Sequence, residues 1–217
     1  MIKKIFLFFL LVIVSLSILG AQNFEGIIIY ERTTTEGKVA LKTYYFGDQK
    51  IRIDSRFYFD TYFDDGVSIF DFKNYTNKYF SNSGDNMPFR PIEIKRNTIS
   101  QMDIFPDSLK TILDFECYLV EAELDVGVYS AIMNQKRYHA KDLKFKVSDE
   151  WLLDYISVIS GDNNIALYWE AGLETLDPEL MIAFDPHRRF SYRAIKVIPM
   201  KLPDSLFDYE VLLSEGK

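Results

Sequence analysis

Along the chain, short runs rich in Ile, Val, Tyr, Phe and Thr recur between Gly, Asp and Asn, and in places hydrophobic and polar residues alternate with the two-residue period of a strand. In "KIRID" (50–54), Ile51 and Ile53 share one face while Arg52 and Asp54 take the other. The same β-branched and aromatic character runs through "FEGIIIYERT" (24–33), "VALKTYYF" (39–46), "VSIFDF" (67–72) and "KYF" (78–80). Between these runs, "TTEGK", "GDQ", "DDG" and "NYTN" supply the glycine, aspartate and asparagine that tight hairpins favour. This pattern predicts a meander of antiparallel strands.

From Ser81 to Pro106 the alternation is lost, and Pro88, Pro91 and Pro106 predict a long loop or an edge excursion. Strand character returns in "FECYLVEAEL" (115–124), "VYSAIM" (128–133) and "LKFKVS" (143–148). Then the period changes: in "SDEWLLDYISVIS", Leu152, Tyr155, Ile156 and Ile159 recur at helical spacing, with Ser148 or Asp149 as N-cap. Three further strands are expected at 164–170, 180–185 and 190–198, and "PDSLFDY" near the end starts like a short helix. The fold expected is mostly β with minor α. It is a single curved antiparallel sheet with one or two helices packed on one face.

The first residues change the picture of where such a domain resides. Lys3 and Lys4 precede an apolar run from Ile5 to Leu19 that ends in Gly20 and Ala21. The run is shorter than a spanning helix of about 20 apolar residues and closes on small residues suited to a peptidase, so residues 1–21 are expected to be a signal peptide. Residues 22–217 then form one exported domain, in the periplasm, associated with the outer membrane or extracellular, with no stable membrane span after cleavage.

Of 25 basic residues, the signal removes two and no acids, leaving 23 against 32 acidic ones, a net charge of about −9. A chain so acidic, whose only basic cluster is His187-Arg188-Arg189, lacks the concentrated positive surface that nucleic acid requires. A lone cysteine, Cys117, allows no intramolecular disulfide. With Phe115 and Leu119 on its face of the predicted strand, it reads as a small buried hydrophobe rather than a nucleophile.

No constellation for catalysis or for a cofactor stands out. His139 and His187 lie in polar stretches without a second histidine at ligand spacing, so exposed surface histidine is the reading for each. In "FDTYFDDGVSIFD", Asp60, Asp64, Asp65 and Asp71 miss the calcium-loop pattern, and Asp64-Asp65-Gly66 suits a turn. No G-x-S-x-G elbow occurs. Trp169 and Glu170, adjacent on a strand, point to opposite faces, which argues against a sugar platform carrying its own acid.

The order of features, a signal ending in Ala-Gln, then "FEGIIIYE", "YYFGDQKIRID", "KTILDFEC" and a late "PDSLFDY", resembles secreted envelope proteins with a LolA-like fold, including the GLPGLI-type families. Ile112-Leu113-Asp114-Phe115-Glu116-Cys117 is similar to a pattern of the kind Ile-Leu-Gly-Tyr-x-Cys in those families, with Asp114 in place of the glycine. The resemblance implies a strongly curved, half-open antiparallel sheet with helices over its mouth. By analogy it implies a carrier with an apolar concavity for a lipid or acyl-like ligand or a protein segment. Candidate lining residues are Tyr44, Phe46, Phe70, Leu152, Tyr155 and Ile156, each of which also suits a core position. The expectation is a non-catalytic binding module without a cofactor. The alternative is an interaction module whose partner is an envelope protein, engaged by an exposed strand edge or aromatic loop.

Overall fold

A computed structural model describes residues 23–57, 66–74, 76–81, 98–126, 131–145, 163–175 and 189–211. Among these, ten strands form one sheet: β1 (Gly26–Thr34), β2 (Gly37–Gly47), β3 (Lys50–Phe57), β4 (Gly66–Asp71), β5 (Thr76–Ser81), β6 (Thr98–Ile112), β7 (Phe115–Val126), β8 (Ala131–Lys144), β9 (Asn164–Thr175) and β10 (Arg189–Pro199). The order is β5-β4-β3-β2-β1-β10-β9-β8-β7-β6, and the described pairings are antiparallel. The sheet is not closed, so β5 and β6 are its edges among the described residues. The mostly β, antiparallel architecture expected from the alternation is therefore the one observed, as is the half-open sheet that the resemblance implies.

Strong curvature brings distant strands together. Six steps of roughly 4.8 Å separate β4 from β8 in a flat sheet, about 29 Å in all, yet the rings of Phe72 and Phe145, just past the ends of those strands, have centroids 5.9 Å apart. The backbone agrees, since Phe24 N–H donates to the Lys144 carbonyl at 2.6 Å. Inside this curl lies the main core, in which Phe24, Ile28, Tyr30, Tyr44, Phe46 and Phe145 are buried. Edge-on ring pairs such as Phe46 with Phe145, at 5.3 Å and 64°, add about 0.5 to 1.5 kcal/mol each to the burial term.

The opposite face of β3 and β4 is covered by the chain after β10. There Leu202 and Phe207 join Ile69 in a second small cluster, and residues Asp204–Phe207 form a short 3-10 turn where "PDSLFDY" predicts a short helix. Gly47 is required at this contact, because a Cβ there would stand 2.6 Å from the Phe207 ring. The helix expected over 148–160 and the strand at 180–185 lie outside the described residues. So do residues 1–22. Among the described residues no helix is long and apolar enough to cross a membrane.

Two expectations need correction. Where the sequence predicts a loop or edge excursion as far as Pro106, β6 begins at Thr98 and Pro106 lies inside that strand. It is tolerated because β6 is an edge and because residues 106–108 are extruded where the register passes from Phe105↔Leu119 to Leu109↔Tyr118. In turn, residues 131–133 and 143–144 of the two short strands expected at 128–133 and 143–148 belong to one strand, β8, that runs through "NQKRYHAKD". The inward positions of that stretch are Gln135, Arg137 and His139, all buried, so no hydrophobic period marks it.

Candidate functional site

The register places one row of side chains across the middle of the sheet. Ala40 in β2 pairs Arg32 in β1, which pairs Tyr192 in β10, then Trp169 in β9, Arg137 in β8, Val120 in β7 and Ile104 in β6. Cross-strand partners point to the same face, so two guanidiniums, Arg32 and Arg137, bracket Tyr192 and Trp169. The two rings stack at 4.3 Å and 16°. On the next row, Tyr30 meets Trp169 edge-on at 5.2 Å and Tyr44 at 5.1 Å, which ties the pair into the main core.

Cations decorate this aromatic face. The Arg32 guanidinium carbon lies 4.9 Å from the Phe190 ring centre and 5.8 Å from that of Tyr192, and Lys42 Nζ lies 5.2 Å from Tyr192. Each arrangement lets a positive charge face a ring quadrupole. Arg137 is only 1% exposed and donates from Nε to Gln135 Oε1 at 2.6 Å. Tyr30 donates its hydroxyl to the Ala166 carbonyl at 2.8 Å, and burial raises its pKa well above the usual phenol value.

His139 belongs to the same polar strip, which overturns the expectation of a surface histidine: it is 0% exposed. Its Nδ1 lies 2.8 Å from the Asn164 carbonyl, an atom that only accepts, so Nδ1 carries the proton. Burial first, and then the nearby Arg137 charge, lowers its pKa to about 3. The ring is a neutral, packed group beside Tyr118, whose centroid is 5.9 Å away.

One residue along each strand, the other face carries a different row: Thr33, Ser191, Glu170, Lys136, Glu121 and Asp103. These six line a groove of about 680 Å³ together with Thr34, Glu123, Tyr168 and Arg189. The groove is both polar and apolar, since Ala122, Ala171 and Phe190 also line it, and several of its polar groups are paired locally. Lys136 Nζ sits 3.2 Å from Glu121, Tyr168 donates to Glu170 at 2.9 Å, and Gln101 donates to Asp103 at 2.7 Å. Among the described residues no group of three or more His, Cys, Asp or Glu side chains is placed to hold a metal.

Of the residues singled out in the sequence, Tyr44, Phe46 and Phe70 are brought together, but as members of the packed core rather than as walls of an open cavity. Leu152, Tyr155 and Ile156 lie outside the described residues, as do His187, Asp60, Asp64 and Asp65. Asp71 accepts from the Lys73 and Asn74 amides at 3.1 and 3.0 Å, a turn-forming role. Trp169 and Glu170 do take opposite faces. Cys117 is fully buried, with its thiol pushed up to about 11 mainly by that burial. Arg32, Lys42, Arg137 and Tyr192 were missed. Parity alone identifies the first two, since Ile28, Tyr30 and Arg32 alternate together in β1 and Phe46, Tyr44 and Lys42 in β2.

No family model matches the chain, and no curated protein matches it. Among solved structures it is similar to a DUF1329 family protein from Desulfovibrio piger, at 12% identity and a TM-score of 0.28, over 92% of this chain and 95% of that one. A likeness at that level carries no argument about function.

Proposed function

We propose that this chain is an exported, non-catalytic binding or carrier module of the cell envelope, in the periplasm, at the outer membrane or outside it. It takes an acyl-like ligand, or an apolar protein segment, against the aromatic face of the sheet. The observation that supports this most is the inward placement of two guanidiniums, Arg32 and Arg137, in a half-open sheet, where a core alone rarely places charges. The apolar run behind Lys3 and Lys4 supports export.

A second reading, an interaction module, is favoured by β6. This edge strand exposes Met102, Ile104, Phe105 and Leu109, a row of apolar side chains beside unpaired backbone. Against it stands the extruded segment at Pro106, which breaks the edge into two short pieces.

Native mass spectrometry of the protein purified from its own envelope separates the two readings. A lipid-sized adduct at one per chain is expected for the carrier. A bare chain would overturn it, and a bare chain joined to a second protein would favour the edge.

A further inference from the structure

We infer that the groove on the face bearing Glu170 binds a neutral oligosaccharide, laid over Gly172 and against Tyr168. The site lies on the opposite face from the one the carrier reading uses, so the two stand or fall independently. Gly172 is a glycine that nothing in the fold requires. It sits inside β9 in regular register with Arg189 of β10 and Asn134 of β8, without a bulge at that point. Among the described residues, positive φ at glycine belongs to Gly26 and Gly37. A Cβ at Gly172 would meet nothing within 4 Å, so no close neighbour excludes a side chain either. A glycine inside a strand weakens it, and with no bulge, dihedral or tight contact to explain it, the close approach of a ligand is the reason that remains. The open space lies in the groove, which Gly172 lines.

Shape and chemistry then select the ligand. The groove crosses adjacent strands from β1 through β10, β9, β8 and β7 to β6, steps of roughly 4.8 Å that add to about 24 Å. A volume of about 680 Å³ over that length makes a trench for an extended chain. Its lining accepts more than it donates, since Asp103, Glu121, Glu123 and Glu170 face only Lys136 and Arg189 as cations. Gln101, Lys136, Ser100 and Tyr168 each engage one oxygen of these carboxylates. An ionised carboxylate has about four accepting sites, so capacity remains for hydroxyl donors. An anionic chain would meet net negative charge here. A peptide would find no ladder to join, because the interior strands pair their backbone groups with one another. A chain of sugars brings hydroxyl donors at every unit. Tyr168 adds a ring with an acid beside it: its hydroxyl donates to Glu170 at 2.9 Å, and Lys110 Nζ, 4.7 Å from the ring centre, holds the ring in place. Trp169 cannot make this arrangement with Glu170 because the two take opposite faces, whereas Tyr168 and Glu170, two residues apart, share one. The ring body packs against the C–H side of a sugar while its tip stays hydrogen-bonded.

The test probes the full chain with an array of neutral and uronic-acid oligosaccharides, and titrates the strongest neutral ligand, its own disaccharide and spermine by calorimetry. A neutral oligosaccharide is expected to bind saturably, about tenfold or more tighter than its disaccharide, because an extended groove contacts several units. Gly172→Phe fills the open space and Glu170→Ala removes the acid beside the ring. Each is expected to weaken the oligosaccharide about tenfold or more, the scale of a hydrogen bond to a charged group. If Gly172→Phe does not fold, as judged by circular dichroism, the exposed Glu170→Ala decides alone. Four results overturn the inference: no neutral oligosaccharide retained on the array, a preference for uronic acids or for spermine, equal affinity for the long chain and its disaccharide, or binding that survives in the folded variants. None of these touches the carrier reading, which the lipid adduct tests separately.

Discussion

Trp169 and Glu170 are neighbours in sequence and opposites in environment, and so are Arg137 and Lys136, Tyr192 and Ser191, and Arg32 and Thr33. The first member of each pair belongs to the aromatic row and the second to the groove. On the aromatic row Trp169 and Arg137 are almost wholly buried, and its cations sit against rings. On the groove row, carboxylates and a lysine meet at the surface and satisfy one another. The comparison teaches that a step of one residue, the period of the pleat, separates the buried aromatic chemistry from the solvated chemistry. Cations occur on both faces, whereas Glu170 and Glu121 lie on the groove side.

The largest effect that tests this sorting is a pair of truncations at adjacent positions. Trp169→Ala removes a stacked, buried ring and is expected to cost about 3 to 5 kcal/mol, whereas Glu170→Ala is expected to stay within about 0.5 kcal/mol. Chemical denaturation of both variants measures the contrast, and similar losses at the two sites would erase it.

Next in size is a pH effect on the buried face. The His139 pKa of about 3 lies below its unfolded value of 6.5, so the unfolded chain binds the extra proton first. The contribution is complete above the unfolded pKa and is lost as pH falls from 6.5 toward 3. Between pH 7 and pH 5 that amounts to about 2 kcal/mol. A His139→Gln variant is expected to remove that share of the pH slope, and an unchanged slope would show that the ring protonates without penalty.

Smallest is the groove ion pair. Lys136 and Glu121 are 57% and 40% exposed, and a double-mutant cycle is expected to give a coupling barely above the error of the measurement. A coupling several times larger would mean that the groove, too, is a structural element.

Much of the fold is legible in the alternation. The first four strands and β7 follow from one-for-one patterning with β-branched and aromatic residues between Gly and Asp turns. Where the pattern misled, the physics is specific. Gln135, Arg137 and His139 put polar side chains at inward positions of β8, so burial there leaves no hydrophobic trace. Pro106 reads as a breaker, yet an edge strand can extrude it. The strand expected from Phe115 does begin there, because Leu113 and Asp114 adopt φ of 48° and 69° and turn the chain between β6 and β7. A two-residue hairpin with both central φ positive suits Gly, Asn or Asp, which explains why an aspartate can stand where a glycine otherwise serves.

The candidate site was less legible, because aromatic bulk drew notice to Tyr44, Phe46 and Phe70, which the core absorbs. Arg32 and Lys42 lie beside Tyr192 only through the register of β1, β2 and β10, which no local pattern displays. Reading each cation by the parity of its strand, rather than by its charge, is the signal that finds them.

The most direct measurement concerns Trp169. Of the two tryptophans in the chain, Trp151 can be replaced by phenylalanine so that Trp169 alone reports. Titration with a brominated oleate, whose bromines quench indole emission at short range, is expected to lower Trp169 fluorescence with saturation at one ligand per chain. Saturable binding of the brominated ligand with Trp169 emission unchanged would place the ligand away from the aromatic face and contradict it as the binding surface.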